Sequence, residues 1–137
     1  MNEKHINAKV YLMNIRKLDN QVKNKNVELT EVFKRIKNMQ GTEQEKLIDK
    51  YIEYQNELET SIKELVSYKQ EAMNLIDKID NADCVDVLYK RYLQFKKWEQ
   101  IAIDMNYAYR TVLRIHGQAL KEFEKLLKVG TQCHINL

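Results

Sequence analysis

The chain has 137 residues, no proline, three glycines and a formal charge of +3 from 23 basic and 20 acidic side chains. That length suits one domain, or a small domain with a helical arm, and so little Pro and Gly leaves almost nothing to interrupt helix. No apolar run approaches the roughly 18 residues needed to span a bilayer, and Met1–Ile15 holds no signal-peptide core, so a cytoplasmic, non-membrane protein is expected.

From about His5 to Met39 the sequence keeps a heptad rhythm. Tyr11, Ile15, Leu18, Val22, Lys25, Leu29, Val32, Ile36 and Met39 alternate steps of four and three, and only Lys25 is polar. The periodicity predicts a long helix that stops at Gly41, a natural left-handed cap. Thr42 with Glu45 three residues on then reads as a capping box.

A second rod follows on Leu47, Tyr51, Tyr54, Leu58, Ser61, Leu65, Tyr68, Ala72, Leu75 and Ile79. Two long seams joined by so short a connection must fold back antiparallel, which predicts a coiled-coil hairpin over residues 1–80. Ile48, Ile62, Val66, Met73 and Ile76 widen the second stripe beyond the needs of one partner. Either the C-terminal helices or a second copy must cover that surface, and a homodimer through the hairpin is expected. Lys25 and Ser61 are the polar seam positions that would fix register, although a lysine stem snorkelling past the seam explains Lys25 equally well.

Asp80-Asn81-Ala82-Asp83 is a cluster of capping residues that breaks the second rod. A helix over about 83–93 follows, on Val85, Leu88, Tyr89 and Tyr92, and then a loop, Gln94–Lys97. Trp98, Ile101, Ala102 and Met105 form the apolar stripe of a short helix, and Asn106 tolerates the left-handed backbone of a tight turn. The last helix buries Val112, Ile115, Ala119, Phe123 and Leu126. Its other face shows Arg110, Leu113, Arg114, Gly117, Gln118 and Lys121. Two helices, one turn and a basic outward face are the geometry of a helix-turn-helix, whose second helix enters the DNA major groove. The end of the chain, 129–137, lacks periodicity and is expected to be a flexible tail. The expected architecture is all-α: a hairpin over 1–80, a three-helix helix-turn-helix DNA-binding domain over 81–128, then the tail.

The segment Lys96–Leu127 resembles region four of bacterial sigma factors. The resemblance rests on Trp98-Glu99, Ile101-Ala102, the Met105-Asn106-Tyr107-Ala108 turn, and Val112, Ile115, Ala119 and Leu120. The chain as a whole is similar to small phage-encoded transcriptional regulators of the ArpU and RinA type. The resemblance implies a phage or prophage regulator that binds double-stranded DNA, with RNA polymerase as a further partner. The charged positions of that family's recognition helix are occupied here by Tyr109, Arg110, Thr111, Leu113 and Arg114.

Charge agrees with this placement. From Val85 onward nine Lys and Arg stand against five Asp and Glu, whereas the preceding part carries fourteen against fifteen. Arg110 and Arg114 lie four apart near the start of the recognition helix, where an arginine bonds guanine bidentately. The competing reading is a solvated helix surface. Leu113 between them would press on a thymine methyl or be covered by protein. Tyr109 and Thr111 are candidate phosphate contacts, as are Lys96, Lys97, Gln118 and Lys121, while Tyr107, Trp98 and His116 read as packing residues.

Nothing points to catalysis. There is no HExxH, no Gly-rich phosphate loop and no Ser or Cys set with a His and an acid. Cys84 and Cys133 stand far apart and the neighbouring Cys133 and His134 cannot build a tetrahedral site, so no metal or cofactor is expected. A second reading remains open, a helical adaptor or a small terminase-like DNA-packaging subunit whose coiled coil drives assembly.

Overall fold

A computed structural model describes residues 7–135, with side chains described through Val129, and every element in it is helical. The helices are α1 (Ala8–Ile36), α2 (Gly41–Ile76), α3 (Ala82–Leu88), α4 (Trp98–Met105) and α5 (Tyr109–Ile135); a π-helical turn, Tyr89–Leu93, prolongs α3. No described helix is long and apolar enough to cross a membrane.

Helix ends follow local side-chain chemistry. Asn7 caps α1 by accepting from Val10 N at 2.8 Å. The helix stops at Ile36, short of the expected Gly41. Gln44 Nε2 reaches back to bond the Ile36 carbonyl at 3.1 Å, satisfying one of the orphan acceptors of that terminus. Gly41 does hold the left-handed conformation, φ +70, but at the first residue of α2. Thr42 therefore lies inside the first turn of α2 rather than ahead of it. Asn81 caps α3 as its residue type predicts, its Oδ1 accepting from Cys84 N at 3.1 Å.

The chain divides into two compact units, Lys17–Tyr68 and the remainder. In the Lys17–Tyr68 unit each predicted seam residue is buried or half-buried, with Leu18, Val32, Ser61 and Leu65 the most enclosed. Lys25 Nζ lies 3.6 Å from Glu57 Oε1, and the Phe33 and Tyr51 rings are 5.8 Å apart. As the first residue number rises its partner's falls, so α1 and α2 run antiparallel here. Lys25 keeps its stem in the seam and its ammonium at the edge, the snorkelling arrangement. One side stays open: Phe33, Ile48, Ile52, Ile62 and Val66 are all exposed.

The other unit joins the chain up to Arg16 with Lys69 onward, so the expected boundary near residue 80 does not coincide with the division. Its core is drawn from every helix. Leu12 and Ile15 of α1, Ala72 and Ile76 of α2, Cys84, Val87 and Leu88 of α3, Ile101 of α4, and Val112, Ala119 and Phe123 of α5 are fully enclosed. Each large side chain so buried contributes about 1.5–3 kcal/mol. Tyr11 stacks obliquely on Phe123, its hydroxyl donates to Glu71 Oε1, and Ala8 N bonds Glu124 Oε1 at 3.4 Å. The first turns of α1 and the last of α2 are thus walls of the C-terminal helical core, with Tyr11 set against Phe123. For the predicted tail, the backbone stays helical to Ile135, and residues 136–137 lie outside the described range.

Candidate nucleic-acid interface

The candidate interface is built on the connection between α4 and α5. Asn106 closes α4 in the left-handed region (φ 59, ψ 42). Its N–H bonds Ile103 O and that of Tyr107 bonds Ala102 O, both at 3.1 Å, the paired 5→2 and 6→1 bonds of a Schellman closure. Ala108 then accepts from Val112 N and α5 begins, so three residues separate the helices. The α5 stripe packs on both α3 and α4, with the Cys84 thiol 4.0 Å from Ile115 O. Burial is the first cause that pushes the Cys84 thiol above its ordinary pKa, followed by Glu122 and Asp83.

Trp98 is half-buried rather than core. It lies edge-on to His116 with ring centres 4.5 Å apart, and the Arg91 guanidinium sits 4.5 Å over its other neighbourhood, the indole face. Arg91 Nη1 also bonds Lys96 O at 3.0 Å, clamping the loop before α4. The π-helical turn makes this reach available: Gln94 N bonds Tyr89 O five residues back, and Phe95 takes a positive φ of 58 with its ring 4.7 Å beneath Arg16. His116 Nε2 is hydrogen-bonded to Tyr92 Oη at 2.6 Å. Desolvation, then Lys9 and Arg91, pull its pKa down to about 4, so the imidazole is neutral at pH 7.

The outward residues fall into three groups. Arg110, Arg114, Gln118 and Lys121 are exposed along one face of α5, at spacings of four, four and three. Tyr109 and Leu113, 47% and 40% exposed, lie beside that face, whereas Thr111 is half-buried at its edge. Lys96 and Lys97 stand apart from these, ahead of α4. Lys97 is exposed, but Lys96 is held 2.7 Å from Asp104 Oδ2. The Lys96 bond, then one from Gln100, holds the Asp104 carboxyl below its usual range. An ammonium already paired this way is a weaker phosphate ligand than its position in the sequence implies.

Asp83 was not foreseen. Tyr107, 40% exposed, donates to Asp83 Oδ2 at 2.7 Å and so ties the turn to the start of α3, and the same carboxylate raises the phenol pKa. A shallow depression of about 200 Å³ lies here, lined by Asn81, Asp83, Tyr107, Thr111, Arg114 and Gln118 among others. The basic face therefore carries one acidic group at its margin, which tempers attraction for phosphate there. Sequence spacing had no signal for this, since Asp83 and Tyr107 lie 24 residues apart. Gly117 is exposed, and a methyl added to it meets nothing within 4 Å, so the chain itself imposes no reason for glycine.

Among the described residues no group of three His, Cys, Asp or Glu side chains could hold a metal ion. Residues 33–124, two thirds of the chain, match the family described as Protein of unknown function (DUF1492). No curated protein and no solved structure matches the chain. The match takes in α4, the turn and most of α5, as well as α2 and α3, and on that extent the chain belongs to the DUF1492 family.

Proposed function

We propose that the chain is a sequence-specific, double-stranded-DNA-binding transcriptional regulator of phage or prophage origin. It reads the major groove with α5 of a sigma-region-four-like helix-turn-helix and acts in the host cytoplasm without catalysing a reaction. The observation that carries this reading is the exposed row of Arg110, Arg114, Gln118 and Lys121 on a helix whose opposite face is locked into the core. It follows a three-residue turn closed by Asn106. The two arginines are the base readers, Gln118 and Lys121 contact the backbone or neighbouring bases, and Lys97 and Tyr109 serve phosphates. One such module buries roughly 600–1,000 Å² on DNA, too little to hold a genomic site alone. The regulator therefore binds as a homodimer through the α1–α2 coiled-coil hairpin, or together with RNA polymerase, as in the ArpU and RinA type it resembles.

A second reading is favoured by the exposed apolar side of α2: a helical adaptor or small terminase-like packaging subunit that works by assembly. Selection from a random duplex library at near-physiological salt separates the two, with wild type run beside Arg110→Ala/Arg114→Ala. One enriched motif is expected for wild type alone. The double variant should lose at least tenfold in affinity for it, since each good Arg–guanine pair discriminates by about 1–3 kcal/mol. Equal, weak, salt-sensitive binding by both proteins would sink the groove-reading role and leave the adaptor.

A further inference from the structure

The exposed residues of α2 have an order that a solvated face does not need. Ile48, Ile52, Ile62 and Val66 are 39–59% exposed and step by four residues within each pair. Gln55 and Glu59 continue the same stripe between the pairs, so that the whole keeps the four-three alternation of a heptad seam beside the one facing α1. The stripe is about 27 Å long at 1.5 Å per residue. It is also palindromic: Ile48 and Val66, Ile52 and Ile62, and Gln55 and Glu59 are each placed symmetrically about residue 57. A surface that must meet itself across a twofold axis has this property, because residue i then contacts j and j contacts i.

We infer that α2 packs antiparallel against α2 of a second copy of this chain, with the twofold axis passing near Asn56 and Glu57. Charge selects this direction. In the antiparallel arrangement Gln55 faces Glu59 of the second copy, an amide against a carboxylate. Along the outer edge Asp49 faces Lys63, twice by symmetry. Both are exposed and neither has an ion-pair partner among the described residues. The parallel alternative sets Glu59 against Glu59 in the seam, a like-charge contact, and leaves Asp49 and Lys63 unpaired. Polar groups at the centre and apolar groups at both ends also fix the register, since sliding by one heptad puts isoleucine on glutamate.

The inference deepens the two-copy part of the proposed function and uses no property of the DNA-facing helix. Sedimentation equilibrium of the full chain should give twice 16.4 kDa at micromolar concentration. Ile52→Glu/Ile62→Glu should weaken association at least a hundredfold while the circular dichroism stays helical, as both sites are exposed. Asp49→Lys should weaken it about tenfold, and adding Lys63→Asp in the same chain should restore it, because the pair is merely exchanged across the axis. In a Cys133→Ser background, Asn56→Cys should be joined to itself by a short thiol cross-linker. A monomeric wild type, an oligomer indifferent to the isoleucine changes, no recovery in the double reversal, or no cross-link at Asn56 would each overturn the arrangement. None of these readouts involves DNA. Their failure would leave the Arg110 and Arg114 experiment standing, and failure of that experiment would leave the α2 contact untouched.

Discussion

At the scale of single residues, His116 sets how the protein responds to acid. It stacks beside Tyr92, meets the edge of Trp98 and is neutral in the fold, with a pKa of about 4 against an ordinary 6.5. Between those values the unfolded chain binds more protons than the folded one. The stabilisation is complete above about pH 6.5 and is lost as pH falls toward 4. Urea unfolding at pH 7 and pH 4.5 should show this fall in the wild type and a smaller one in His116→Gln; equal falls would assign it elsewhere. The residue's packing role was legible from its place beside Ile115. Its depressed pKa was not, because its burial and the approach of Lys9 and Arg91 arise only through folding.

At the scale of elements, periodicity located the helices well and their ends less well. Every seam residue of α1 and α2 is buried or half-buried, and the α5 stripe is buried from Val112 to Phe123. Ends depended on single side chains with weak sequence signals: Gln44 closing the α1–α2 connection, and Asn7 opening α1. The π-helical turn, which holds the buried Tyr92, had no signal in the sequence. Asn106 was legible because its conformation suits few residue types. A left-handed residue with a Cβ costs roughly 1–2 kcal/mol, which Asn offsets in part and Gly avoids. Thermal melting should therefore show Asn106→Ala less stable by about 1 kcal/mol and Asn106→Gly no worse than wild type. A neutral alanine variant would mean that the Schellman bonds, and not the residue, hold the turn.

At the scale of the whole molecule, the sequence pattern divides the chain by heptads and the fold divides it by core. Leu12 lies one position off the first seam and had no assigned task, yet it is fully enclosed among residues of the C-terminal half. A core shared between distant segments leaves no periodic trace. A fragment beginning at Asn81 should consequently show no cooperative thermal transition by circular dichroism, having lost Leu12, Ile15, Ala72, Ile76 and Ile79. A fragment that melts cooperatively would make the α3–α5 region an autonomous domain after all.

The bond from Ala8 N to the Glu124 carboxylate spans 116 residues, and with it the order of synthesis enters. A ribosome adding about 5–20 residues per second delivers Glu124 of α5 roughly 6–23 s after the first turn of α1. During that interval Leu12 and Ile15 have no native partners among α3, α4 and α5, whereas α1 and α2 can already pair along their seam. The pairing of α1 with α2 must come first, and the exposed basic face of α5 is completed only once the last helix has been made.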